Sequence, residues 1–259
     1  MEGPSATIAL VLAETAAGGA ALLWLGGLWG SVKRGFFILT GASVLALCLM
    51  ATLSAASAAT SPVSSEARLA VYTAAGSSVL LSLSLVALLL RLDRIGRLLG
   101  FLSISAVTAM LVCLARVSSS FVPSLVQLLA GAAFMGAVID GLLLGHWYLT
   151  DRRLARGHIR RFSVVLLFAV AIEATALAVL GFGANAADEG GFSVILGVSG
   201  LRTWLALGMV GCTGLIAFLI KASLRGESPR AVQGATGFFY LAVITAFTGE
   251  MAAKVGFLG

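Results

Sequence analysis

Four carboxylates sit inside otherwise apolar runs of this chain: Glu14, Asp140, Glu173 and Glu250. A carboxylate surrounded by hydrocarbon is costly unless it is paired, protonated or wetted, and such residues usually face the interior of a helix bundle. The chemistry open to them there is the binding and release of protons. Each could instead be a hydrogen-bonded strut between helices. Asn or Ser would serve as struts at lower desolvation cost, so four acids in so apolar a chain point to proton handling by at least one of them.

Two cations accompany the acids. Lys254 follows Glu250 by four residues, which puts both on one helical face and allows an ion pair; the alternative is a lysine extended to the membrane surface. Arg202 lies about ten residues into the apolar stretch that begins at Gly191, and it either marks the interface or acts as a buried counter-ion. If buried, it would form an outward-opening polar site with Glu14 and Glu250.

The string Gly145-His146-Trp147-Tyr148-Leu149 offers different chemistry. Trp147 and Tyr148 suit an interfacial aromatic belt. His146 can bind a haem b iron or donate a hydrogen bond to a quinone carbonyl, with Trp147 and Tyr148 beside it. A bis-histidine haem is hard to build, because the other imidazole, His158, falls in a basic connector; Met135 or Met251 would be needed as a second axial ligand. The candidate cofactor is therefore quinone, ahead of haem b. Asp140 and His146 are six residues apart, about 240° around a helix, and do not form a pair.

Other chemistries lack their residues. Nucleotide loops of the form GxGxxG or GxxxxGK[ST], HExxH and Ser/His/Asp arrangements are all absent. Cys48, Cys113 and Cys212 have no metal or disulfide spacing and read as small packing residues. A self-contained enzyme is not expected.

The elements that must hold these residues follow from composition. With 59% hydrophobic and 11% charged residues and a mean hydropathy of +1.06, the 259 residues cannot build a water-facing surface. Lipid as solvent leaves helices or a closed barrel, and runs such as Phe101 to Ala115, apolar on every face, exclude barrel strands. A hydrocarbon core takes about 20 helical residues. Eight spans result, near 6–29, 36–58, 69–90, 98–115, 123–149, 162–183, 199–220 and 233–256, in a single all-α transmembrane domain covering 1–259. The start lacks a basic signal-peptide region, so the first span is expected to stay.

Loop charge gives a direction. Lys33, Arg34, Arg91, Arg94, Arg97, Arg152, Arg153, Arg156, Arg160, Arg161, Lys221, Arg225 and Arg230 all fall on one side, thirteen of the seventeen cations; Arg68, Arg116, Arg202 and Lys254 fall on the other. Short basic loops stay cytoplasmic, so both termini are expected outside, in a multi-pass protein of the cytoplasmic (inner) cell membrane. The same loops account for the net charge of +6 by contact with anionic membrane lipids, without nucleic acid. Counted along these spans, Glu14 lies about 12 Å in from the outer end and Glu250 in the outer third. Glu173 falls at the middle and Asp140 in the cytoplasmic half, so the acids step across the membrane.

Ala13-Glu14-Thr15-Ala16 and Ile172-Glu173-Ala174-Thr175 are locally alike and lie on spans of opposite direction, a weak inverted-repeat pattern. Runs of small residues, Ala16 to Ala21 and Ala130 to Gly136, suit close helix packing. The four prolines, Pro4, Pro62, Pro123 and Pro229, all lie at a terminus or span edge. Unbroken helices fit a rigid subunit better than an alternating-access carrier. The expectation is a membrane subunit of a respiratory or other redox complex that supplies a quinone pocket or proton path, with partner subunits holding the redox centres. A proton- or ion-coupled transporter and a non-catalytic scaffold are the alternatives. In helix number and orientation the chain is similar to the eight-helix membrane anchors of molybdopterin oxidoreductases; no motif accompanies that similarity, and no residue role is carried over from it.

Overall fold

A computed structural model describes residues 3–29, 33–59, 64–150, 156–181, 200–226, 229–255 and 257. The described residues form eight helices long and apolar enough to cross a membrane, and no strand. They are α1 (Pro4–Gly26), α2 (Arg34–Ala58), α3 (Ser65–Leu89), α4 (Asp93–Val117), α5 (Phe121–Thr150), α6 (Gly157–Ala176), α7 (Leu201–Ser223) and α8 (Pro229–Lys254). A 3-10 turn, Gly27–Trp29, ends α1, and a π turn, Leu177–Gly181, ends α6. The chain is a multi-pass helical membrane protein.

All eight expected spans are present, and the ends differ in an instructive way. α4 starts at Asp93 rather than near 98, and α6 at Gly157 rather than near 162. Arg94, Arg97, His158, Arg160 and Arg161, read from sequence as connector residues, are helical. Helices continue past the hydrocarbon boundary, where basic side chains can reach water.

Local signals set the ends. Pro4 occupies the first turn of α1, where its missing N–H costs nothing. The Ser64 hydroxyl accepts the Ala67 N–H at 3.1 Å and caps α3. Arg160 Nε donates to the Leu224 carbonyl at 3.2 Å, tying the start of α6 to the end of α7.

The helices pack as two rings of four. In the first, α1 contacts α2, α2 contacts α3, α3 contacts α4, and α4 returns to α1; α5 to α8 repeat the pattern, and α1 against α5 joins the rings. The contacts of α4 with α5 and of α8 with α1 are equivalent under the same two-fold relation. Each helix thus corresponds to the one four places later, which runs in the same direction. The inverted pattern suggested by the Glu14 and Glu173 strings is not the one that organises the bundle.

α1 and α5 are the central helices: 78% and 72% of their apolar windows are buried, against 39% or less elsewhere. Their small-residue runs meet directly. A Cβ at Gly18 would collide with the Ala132 carbonyl, and one at Gly136 with the Gly18 backbone. Hydroxyl contacts seam the outer helices, including Ser84 Oγ to the Gly96 carbonyl at 2.8 Å and Thr213 with Thr245 at 2.7 Å. Cys48 and Cys113 are buried as expected, whereas Cys212 is exposed on α7. Large apolar side chains such as Leu53, Phe168, Leu215 and Ile244 cover the outside, as lipid contact requires.

Candidate functional site

Three of the four carboxylates converge on one lysine. Glu250 and Lys254 share a face of α8, and Lys254 Nζ stands 3.5 Å from Glu250 Oε2. From α1, Glu14 Oε1 approaches the same nitrogen to 2.9 Å. The Gln127 backbone carbonyl of α5 lies 3.5 Å from it. Three acceptors therefore surround a group with three N–H donors. From α6, Glu173 lies close enough to Glu250 and Lys254 for its carboxyl to interact electrostatically with both. The side chains of Glu14, Glu250 and Lys254 are wholly inaccessible, and Glu173 is fully buried.

Sequence geometry explains why Lys254 stays inside. A helical Cα–Cβ bond tilts toward the helix N-terminus, so a lysine in the last turn of α8 is aimed back into the bundle, away from the nearby surface. The Thr7 hydroxyl donates to the Lys254 carbonyl at 3.4 Å, and the Phe257 ring centroid lies 5.1 Å from Nζ, closing the site from above. Of the two sequence readings, the ion pair with Glu250 is the one observed. On the α5 side, Gly131 makes the room: a Cβ there would stand 2.7 Å from Glu14 Oε1.

The acids therefore do not step evenly across the bundle. Glu173 seemed central because α6 was counted from 162. With the helix starting at Gly157, Glu173 is about 24 Å from that end and about 12 Å from Gly181, close to the level of Glu14. Asp140 alone lies apart, fully buried on α5 and facing Gly19 of α1, where a Cβ would stand 3.6 Å from Oδ1. The carboxylate oxygens of all four acids lack a hydrogen bond of regular geometry.

The remaining candidates are not drawn into the cluster. Arg202, half-buried in the first turn of α7, donates to the Val255 carbonyl at 3.3 Å in an exposed contact. The stretch of 191–199 that could have dipped back beside it lies outside the described residues. His146 is exposed, with Nδ1 3.4 Å from the Tyr240 hydroxyl of α8. Trp147 packs over Gly35 at the start of α2, and Tyr148 points into the core. Successive helical residues diverge by about 100°, so the three do not line one pocket. His158 is buried in the first turn of α6 beside Phe162 and Leu144, so the two imidazoles do not meet.

No known protein family, curated protein or solved structure matches this chain. The site's own geometry must carry the reading.

An apolar cleft of about 800 Å³ opens between α5 and α6, lined by residues including Val126, Ala130, Phe168, Ile172, Thr175 and Ala176. Ala130 and Ile172 in its lining are next in sequence to Gly131 and Glu173, whose side of each helix turns toward the cluster instead. Among the described residues no group of three or more His, Cys, Asp or Glu could hold a metal ion. Sequence reasoning singled out Glu14, Glu173, Glu250 and Lys254, missed Gln127 and Gly131, and placed the helical His158 in a connector. The small side chain of Gly131 was a signal; nothing in the spacing marked the Gln127 carbonyl.

Proposed function

We propose that this chain is a membrane subunit of a redox complex and that the Glu14–Glu173–Glu250–Lys254 cluster is its proton-binding site. The observation that carries the reading is that three buried carboxyl groups, two of them paired with Lys254, share a single ammonium. Two carboxyl groups attract only when one carries a proton, since ionised carboxylates are acceptors alone. A site with more acids than cations balances its charge in hydrocarbon by holding protons and changes charge by releasing them.

The cleft between α5 and α6 supports a lipid-soluble quinone as the partner molecule. Its lining is apolar, and the buried acids carried by the same α6 and by α1 and α8 would supply the protons that accompany quinone reduction, with electrons delivered by a partner subunit. Stoichiometric quinone in extracts of the purified protein supports this part; quinone-free preparations remove it. The backbone contact of α1 with α5, with no side chains between, favours a rigid subunit over a rocking carrier.

The basic end of the bundle, away from the cluster, is the cytoplasmic one in this reading, and the cluster lies toward the outside. A reporter fused after Gly259 is expected on the outer side; a cytoplasmic signal reverses the orientation.

Proton flux tests the central claim. In liposomes under a potassium diffusion potential, with a pH dye inside, the purified chain is expected to raise proton entry above that of protein-free vesicles. Glu173→Gln is expected to lower that flux at least about tenfold. Flux no greater than the protein-free control overturns the assignment.

A further inference from the structure

Asp140 belongs to a second line of buried polar groups. It faces Gly19, and Val44 of α2 reaches the same glycine. A shift of one turn toward the basic end takes these three helices to Leu23, Thr40 and Leu144, each four residues along and on the same face. Thr40 is fully buried, and its hydroxyl, like both Asp140 oxygens, has no hydrogen-bond partner. Leu23 and Leu144 then close a small cavity with Phe36, Phe37 and Phe162, and His158 is the titratable side chain in its wall. The cavity, of about 10 Å³, is at the lower limit for a single water molecule.

We propose that Asp140, Thr40 and His158 form the second half of a proton route, running from the carboxylate cluster to the basic end of the bundle, with His158 at its mouth. This inference rests on the proton-handling reading of the cluster. Carboxyl, hydroxyl and imidazole groups each both donate and accept hydrogen bonds, so each can take a proton on one side and release one on the other. From the Glu14 level to the Asp140 level is about 7.5 Å along α1, and from Asp140 to the cavity wall about 6 Å along α5. Steps of that length need water that enters between these groups, held by the polar atoms of Asp140, Thr40 and His158. Helix struts would have their polar atoms bonded; those of Asp140 and Thr40 are not. One proton enters at the cluster for each that leaves at His158, and no other bond changes.

The vesicle assay separates this claim from the one it rests on. Asp140→Asn and His158→Gln are each expected to cut proton flux at least about tenfold, and Thr40→Val to reduce it less, with all three proteins running as wild type on gel filtration. External imidazole is expected to restore flux to His158→Ala, which a merely structural histidine would not show. If Glu173→Gln abolishes flux while Asp140→Asn and His158→Gln conduct as wild type, the route is wrong and the cluster stands. If wild-type vesicles conduct no better than empty ones, both fall.

Discussion

Replacing Lys254 by Met is expected to cost about 3–5 kcal/mol of stability, the range for breaking a buried ion pair from one side. The ammonium lies 2.9 Å from Glu14 and 3.5 Å from Glu250, and Glu173 is a third buried carboxyl close enough to interact with it electrostatically. Without it, three buried carboxyl groups are left with no cation among them, and the Gln127 carbonyl loses its contact with the ammonium. The triple variant Glu14→Gln, Glu250→Gln, Lys254→Met is expected to recover most of the loss, because it removes the ammonium together with both carboxylates paired with it, and their desolvation penalty with them. Thermal unfolding in mild detergent checks both. A single variant as stable as wild type would mean that the lysine contributes no net pairing energy. A triple variant that is stable yet conducts no protons would separate the cluster's part in the fold from its part in transfer.

The eight spans were legible in the sequence because length and apolarity alone specify a membrane helix. The two-ring packing was not. Helices such as α2 and α3 are apolar on their lipid side and their protein side alike, so composition does not say which face turns inward. Within the site, the Glu250–Lys254 pair was legible from spacing. The Glu14–Lys254 contact joins residues at opposite ends of the chain, and only the fold shows it. The level of Glu173 was misread because Gly157 to Arg161 carry a charge pattern typical of a connector while continuing the helix. His158 was placed in a connector for the same reason. The two small-residue runs, read as packing surfaces without partners, prove to be each other's partners at Gly18, Ala132 and Gly136.

That crossing is where a second substitution should act most strongly. Gly18→Ala is expected to destabilise by about 1–3 kcal/mol, the usual range for overpacking, and Gly18→Leu to prevent recovery of a monodisperse protein. The atoms in the way are backbone, the Ala132 carbonyl, and cannot rotate aside as a side-chain tip could. Relief requires α1 to move away from α5, the interface that joins the two rings. The same movement draws Glu14 from its place against Gly131 and loosens its contact with Lys254, so Gly18→Ala should also lower proton flux although Gly18 bears no polar group. Gly208→Ala is the control. Nothing lies within 4 Å of a Cβ at that position, and there the better helix propensity of alanine, up to about 1 kcal/mol, acts alone. Equal stability of the Gly18 and Gly208 variants by thermal unfolding would show that the α1–α5 contact is not close-packed and that the cluster does not depend on it.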